Sequence, residues 1–286
     1  MDIDDRRIVT IAVLGTKGSG KTHYLAGAMY LACRMQGLAG VGCTQFEPDE
    51  RTAKDYHEKY FEPLFVYKQQ IAATEVDDQV RFSPLVYRVQ FRDAEPCSLL
   101  FHDVSGEMFD DPKMRARYAQ FIYRADGAIF LVDPEQMYNS NGHRHNHGMQ
   151  QSRTYNQADL LINWLGSLTQ SMPVAVTLSK SDLISAGFPG RYDQFEQPHV
   201  STEPGWSQQM RAIGWEVEQV FEEFRAYDLL AAVRRYRRST TLHAVAALGA
   251  APLADGTVTE VQARRCLDPL VTLLARIPDV VGRPAQ

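Results

Sequence analysis

Residues 8–22 read IVTIAVLGTKGSGKT, and this stretch decides the fold of the chain. The apolar run 8–14 predicts a buried strand, and the loop after it has the spacing Gly-x4-Gly-Lys-Thr. In such a loop, glycines let backbone N–H groups face an anion, the lysine reaches the terminal phosphates, and the threonine hydroxyl can ligate Mg²⁺. The sequence therefore predicts a nucleoside triphosphate site made by Gly15, Thr16, Lys17, Gly18, Ser19, Gly20, Lys21 and Thr22.

The composition describes a globular chain. Its 286 residues are 44% hydrophobic and 23% charged, which is enough to bury a large core. We expect a single domain over residues 1–286, with insertions at about 38–80 and 183–240. The net charge of −5 argues against nucleic acid as a partner, because phosphate backbones are bound by surplus Lys and Arg.

Cysteine usage and hydropathy bear on location. The four cysteines, at 33, 43, 97 and 266, have no spacing typical of a zinc site or a disulfide framework, which favours a reducing compartment. No apolar segment reaches the length needed to cross a bilayer, and neither end carries a lipidation signature. We therefore expect a cytoplasmic protein without a membrane anchor.

A second motif follows the apolar run SLLFH at residues 98–102, where the chain reads Asp103-Val104-Ser105-Gly106-Glu107. An Asp at the carboxyl end of a buried strand, downstream of a phosphate loop, is placed to support Mg²⁺. The N–H of Gly106 is then close to where a γ-phosphate would lie. The alternative is an ordinary turn from strand to loop.

A third motif follows the apolar run VAVTL at residues 174–178, where the chain reads Ser179-Lys180-Ser181-Asp182. A carboxylate here can accept hydrogen bonds from N1–H and the exocyclic amine of guanine, a donor pair that adenine lacks. The alternative is the N-cap region of a helix. Asp182 is therefore a candidate reader of the base.

The order of these three motifs, each after an apolar strand, resembles the translation-factor-related and Ras-like P-loop GTPases, from Arg7 to about Gly249. The resemblance implies a three-layer α/β fold around a mostly parallel sheet with one antiparallel edge strand, plus helical and loop insertions. It also implies binding of GTP or GDP with Mg²⁺ held by Thr22 and Asp103, and slow GTP hydrolysis in which Lys21 offsets developing charge.

The chain departs from this family pattern at three places. The base-contacting loop, where the family has a Ser-Ala pair, corresponds to Ala246 and Ala247, although the family's contact uses a backbone N–H. Ser179 replaces the usual Asn or Thr. Glu107 stands where many members have a water-positioning Gln, and it would either act on the attacking water or merely begin a helix.

The segment FEPLFVYKQQIAATEVDDQVRFSPLVYRV, residues 61–89, resembles more specifically the bacterial double-GTPase family. This resemblance implies that a Thr closes over Mg²⁺ and the γ-phosphate, and Thr74 is the best-placed candidate, ahead of Thr52 and Thr44. It also implies a protein effector or a companion GTPase in a bacterial multi-component system. Arg115 and Arg117 are candidate internal arginine fingers.

Two other functions remain open at this point. One is an ATP-dependent ATPase or phosphotransferase, for which Asp182 would be irrelevant to the base. The other is a GTP-binding scaffold with negligible turnover, which the negative charge of Glu107 keeps open. A polar loop with His143, His145 and His147 has metal-ligand residue types, but without a nearby carboxylate or Cys we interpret it as a solvated loop.

The remaining pattern predicts several elements. Helices are expected over Lys21–Gln36, within the loop-rich 38–80 region at Thr52–Phe65, and over Gln208–Arg238. A closing helix is expected over Glu260–Ile277, with a kink at Pro269.

Overall fold

The computed structural model describes residues 7–35, 38, 42–72, 84–92, 94–103, 124–138, 157, 159–162, 164–165, 172–197, 205–277 and 280. Seven strands form one sheet in the order β2-β3-β4-β1-β5-β6-β7. β3 runs antiparallel to both of its neighbours, and the other adjacent pairs are parallel. The strands are β1 (Arg7–Leu14), β2 (Cys43–Pro48), β3 (Leu85–Phe91), β4 (Cys97–Asp103), β5 (Gly127–Val132), β6 (Val174–Leu178) and β7 (Thr240–Ala244).

The central strands are apolar because both faces of the sheet are covered. Every residue of β5 and β6 is buried, as is typical of parallel strands that lie between two helical layers. The carboxyl ends of β1, β4, β5, β6 and β7 lie at the same edge of the sheet. In open α/β sheets this edge is where ligands bind.

Helices pack on both faces of the sheet. One face carries α1, α7 and a π-helical segment, and the other carries α5 and α6. The helices are α1 (Lys21–Cys33), α2 (Glu50–Tyr56) continued by the π-helix His57–Val66, α3 (Pro134–Tyr138), α4 (Ser181–Gly187), α5 (Gly205–Glu223), α6 (Tyr227–Arg235) and α7 (Asp268–Leu274). The expected three-layer α/β fold with a mostly parallel sheet and an antiparallel strand on one side is therefore confirmed.

The region 38–80 contains a strand that the sequence analysis did not predict. β2 lies outside β3, with Cys43 and Phe46 buried against the core. A register shift between Cys43 and Gln45 interrupts the two-residue alternation of buried side chains. Because that alternation is the usual signature of a strand, β2 gave no pattern in the sequence.

Three predicted helices have different bounds in the structure. α1 ends at Cys33, and Met35 follows with a left-handed φ of 57°. The predicted helix Gln208–Arg238 is two helices, because Arg225 also takes a left-handed φ, of 54°, and ends the first. The closing helix begins only at Asp268, so Pro269 lies in its first turn and causes no kink there.

Two general features concern the rest of the molecule. All four cysteines are free, and Cys43, Cys97 and Cys266 are buried. In the part of the chain that the structure describes, none of the helices has both the length and the apolar composition that a bilayer crossing needs.

Candidate nucleotide-binding site

The phosphate loop joins the end of β1 to the first turn of α1. Lys21 is 6% exposed, and its ammonium donates to the carbonyls of Gly15 and Thr16, at 3.0 and 2.9 Å. Gly20 has a left-handed φ of 85° immediately before α1, which turns the chain into the helix. The loop therefore holds a buried cation beside the N-terminus of a helix, an arrangement that binds anions.

Gly15 lies where no side chain fits. Its φ is 149°, and a Cβ there would lie 2.5 Å from Oγ of Ser19 and 2.8 Å from the carbonyl oxygen of Leu131. The loop can thus pass close to β5 only because residue 15 is glycine.

A cavity of about 560 Å³ lies at the carboxyl ends of the strands. This volume is in the range of sites for small molecules, roughly 300–1,000 Å³. The cavity is lined by the phosphate loop with the start of α1, by the Ser179–Asp182 motif with Glu135, by residues between 245 and 252, and by residues 70–72. Two of the three predicted motifs therefore meet in one cavity.

Asp182 lines this cavity from the first turn of α4 and is 8% exposed. Burial raises the pKa of its carboxyl, because the charged form is poorly solvated there. The motif is fixed by two neighbours. The N–H of Ser181 donates to the carbonyl of Val245 at 3.1 Å, and the hydroxyl of Ser179 donates to the carbonyl of Val132 at 3.0 Å.

Lys180 pairs with two carboxylates that the sequence analysis missed. Its ammonium lies 3.1 Å from Oδ2 of Asp133 and 2.5 Å from Oε2 of Glu135. Burial lowers the pKa of Lys180, but the two carboxylates outweigh burial and raise it above its ordinary value. Asp133 follows directly after the buried strand β5, and that position was the signal available in the sequence.

Gln136 contacts the phosphate loop from α3. Its Oε1 accepts from the hydroxyl of Thr16 at 3.0 Å, and its Nε2 donates to the carbonyl of Lys17 at 3.0 Å. The same Nε2 lies 3.1 Å from Oδ2 of Asp133. Nothing in the sequence pattern singled out Gln136, because its role depends on the short turn that returns from β5 to the loop.

The predicted base-contacting pair takes two different positions. Ala247 lines the cavity. The N–H of Ala246 donates to the carbonyl of Arg264 at 3.1 Å, and its carbonyl accepts from the N–H of Arg264 at 2.7 Å. Within the described chain, Ala247 is therefore the member of the pair that faces the cavity.

Residues 70–72 cover one side of the cavity. The N–H of Gln70 donates to the carbonyl of Gly256, and the N–H of Ile71 donates to Nε2 of His23 at 3.2 Å. Burial and the nearby charge of Lys180 lower the pKa of His23 to about 4, so this nitrogen is free to accept the bond at neutral pH. Ala72 also lines the cavity.

The metal-binding prediction combines residues of β4 and α1. Thr22 lines the cavity, and the backbone of Asp103 pairs with Val13 of β1, so both residues lie at the same edge of the sheet. This placement fits Mg²⁺, which is bound by few protein ligands together with phosphate oxygens. Across the described ranges, no group of three or more His, Cys, Asp or Glu is placed to hold a metal ion without a nucleotide.

Several candidates lie outside the described residues, and their predicted roles stay predictions. They are Thr74, Gly106, Glu107, the arginine candidates Arg115 and Arg117, and the histidines His143, His145 and His147.

Comparison with known families decides the class of protein. A family model named Double-GTPase 2 matches residues 9–245. The chain belongs to the Double-GTPase 2 family. This membership confirms the resemblance to P-loop GTPases and supports a GTP-binding protein.

Other comparisons place the Double-GTPase 2 chain at a distance from known proteins. No curated protein sequence matches it. Among solved structures, the RocCORdC part of Roco2 from Methanosarcina barkeri, bound to GDP, is similar with 12% sequence identity and a TM-score of 0.37. The match covers 96% of this chain and 51% of that one, so the chain spans about half of the Roco2 chain.

Replacing Gly15 with Ala in this Double-GTPase 2 protein is expected to weaken GDP binding by at least about tenfold. The added methyl has no space between Ser19 and Leu131, and the backbone conformation disfavours any side chain, at a cost of roughly 1–3 kcal/mol. Calorimetric titration with GDP measures the loss. Gly187→Ala is the matched control, because a Cβ at Gly187 meets no atom within 4 Å. Equal GDP affinity in both variants would contradict the expected crowding.

Proposed function

We propose that this protein binds GTP and GDP in the cavity and hydrolyses GTP slowly with Mg²⁺, as a nucleotide-dependent switch. The observation that carries this proposal is the position of Asp182. A buried carboxylate lines the same cavity as the phosphate loop and the ammonium of Lys21. A nucleotide whose base carries hydrogen-bond donors complements the carboxylate of Asp182, and its phosphates complement the loop and the ammonium of Lys21.

At the base end, the two oxygens of Asp182 would accept from N1–H and the exocyclic amine of guanine. The N–H of Ala247 is the donor for guanine O6, since the N–H of Ala246 is bonded to Arg264. Lys180, fixed by Asp133 and Glu135, would border the sugar and base. Adenine presents an acceptor at N1, which the carboxylate would repel.

At the phosphate end, the loop N–H groups and Lys21 would bind the β- and γ-phosphates. Thr22 and Asp103 would hold Mg²⁺, which supplies charge neutralisation on the phosphate oxygens when bound. Of the protein's own groups, the ammonium of Lys21 carries a full positive charge and can offset the charge that develops on the transferred phosphoryl group.

Hydrolysis requires an in-line attack by water. The water oxygen bonds to the γ-phosphorus as the bond to the β–γ bridging oxygen breaks, and the water proton passes to a phosphate oxygen. In this proposal the N–H of Gly106 contacts the γ-phosphate, Glu107 orients the water, and Thr74 closes over the phosphate. Release of the γ-phosphate would free the residues around Thr74 and Gly106, which is the switch.

The rate of hydrolysis would be low unless a partner, or Arg115 or Arg117 of this chain, supplies an arginine finger, because loss of such a finger typically costs on the order of 10³-fold or more. We therefore propose an effector or companion GTPase as the partner, in a bacterial multi-component system. The cytoplasmic location expected from the cysteine spacing stays a prediction.

The competing function is a GTP-bound scaffold with negligible turnover. The observation that favours it is the negative charge of Glu107, which would repel a γ-phosphate. An ATPase or phosphotransferase is less well supported, since adenine has no N1–H and no 2-amine to donate to the buried carboxylate of Asp182.

The test is release of phosphate from GTP at multiple turnover, with Mg²⁺ or with a chelator, for the wild type and Glu107→Gln. We expect the wild type to release phosphate slowly and only with Mg²⁺. We expect the rate of phosphate release to differ in Glu107→Gln. Tight GTP binding with negligible release, identical in both proteins, would support the scaffold instead.

A further inference from the structure

The phosphate loop is held by a residue that lies outside its own Gly-x4-Gly-Lys-Thr motif. Gln136 uses both ends of its side-chain amide on the loop, accepting from Thr16 and donating to the carbonyl of Lys17. Because Gln136 follows three residues after Asp133, this contact joins the loop to the end of β5.

The bond to Lys17 fixes the direction of a peptide group. In a trans peptide the carbonyl and the following N–H point in opposite directions. Holding the carbonyl of Lys17 toward Gln136 therefore turns the N–H of Gly18 away from Gln136. Gly18 lines the cavity, so an N–H turned away from Gln136 is available to an anion bound there.

Without this bond the peptide between Lys17 and Gly18 would have a second orientation available. Gly18 has a φ of 81°, and a Cβ there would come no nearer than 4.0 Å to any atom, which is Nε2 of Gln136 itself. Because glycine has no Cβ, a reversed peptide causes no steric clash at Gly18, and the space around Gly18 is open. A reversed peptide would present a carbonyl oxygen to the phosphates and repel them.

The support also reaches the base end of the cavity. Oδ2 of Asp133 accepts from both Gln136 and Lys180, each at 3.1 Å. Asp133 is 3% exposed, and its own N–H donates to the buried side chain of Gln157 at 2.8 Å. A fixed carboxylate thus connects the residue that orients the phosphate loop with the lysine of the base motif.

We propose that Gln136 is a positioning residue that locks the Lys17–Gly18 peptide in its anion-binding orientation, with Asp133 fixing Gln136 in place. This inference rests on the proposed binding of guanine nucleotides, and it concerns the diphosphate part of the ligand. Such positioning raises the part of the affinity that comes from the phosphates and leaves the affinity for the nucleoside unchanged.

The test compares GDP with guanosine in the wild type, Gln136→Ala and Gln136→Glu, by calorimetry for GDP and by competition for guanosine. We expect Gln136→Ala to lose about tenfold in GDP affinity and less than twofold in guanosine affinity. Gln136→Glu is nearly the same size and keeps the acceptor for Thr16, but it places a carboxylate against the carbonyl of Lys17 and should lose at least as much. Gln208→Ala removes an exposed glutamine of α5 and is the control.

Equal losses of affinity for GDP and for guanosine, or no loss of GDP affinity in Gln136→Glu, would overturn the positioning role. A purely structural role would lower the melting temperature without changing the ratio of the two affinities. A wild type that prefers ADP to GDP would contradict the proposed function instead. The same comparison with ADP and adenosine would then decide the role of Gln136.

Discussion

Replacing Lys21 with Met is expected to reduce GTP affinity about 100-fold, the loss anticipated for a buried charge that binds phosphate oxygens. Methionine has a similar length and keeps the packing, so the variant removes the ammonium with little other change. Lys21 is 6% exposed, and its ammonium donates to the carbonyls of Gly15 and Thr16. Its loss leaves these two carbonyls without the ammonium that donates to them.

Calorimetry with GTP and GDP measures this effect. GTP should lose more affinity than GDP, because Lys21 is expected to reach the γ-phosphate as well as the β-phosphate. Lys54→Met is the control, since Lys54 lies on the exposed surface of α2 and makes only an i,i+4 pair with Glu58. If both variants bound GTP like the wild type, the loop would not be the phosphate site.

Replacing Asp182 with Asn is expected to exchange guanine preference for xanthine preference, with a loss of roughly 100-fold for GTP. The asparagine amide places a donor against the exocyclic amine of guanine, which is itself a donor. Xanthine has a carbonyl at that position and accepts from the amide. The effect is large because Asp182 is 8% exposed, so water cannot replace the lost partner.

The change in base preference is measured by competition between GTP and xanthosine triphosphate for each protein. Asp193→Asn is a matched control, because Asp193 is exposed in the short 3₁₀ turn after α4. A variant Asp182→Asn that still prefers GTP would show that another group reads the base.

The sequence predicted those parts of the site that depend on local spacing. The phosphate loop is set by Gly15, Gly20 and Lys21, whose roles follow from backbone conformation and side-chain length. The position of Asp182 beside the cavity could be predicted because Asp182 follows a fully buried strand, and such strands end at the ligand edge of a parallel sheet.

Features that depend on packing between distant segments could not be predicted in the same way. The bond from Gln136 to Lys17 joins residues that are far apart in sequence, through the pairing of β1 with β5. Whether Ala246 or Ala247 faces the cavity is decided by a bridge to Arg264, which no periodicity records. β2 was hidden because its register shift removes the alternation of buried side chains.

Selection of guanine nucleotides by this cavity of a Double-GTPase 2 protein can be measured by calorimetric titration of the wild type with GDP and with ADP, both with Mg²⁺. We predict that GDP binds at least about 100-fold more tightly, because adenine lacks the N1–H and 2-amine donor pair that guanine offers to the buried carboxylate of Asp182. Equal affinity for the two nucleotides would contradict the account and indicate an ATP-dependent protein.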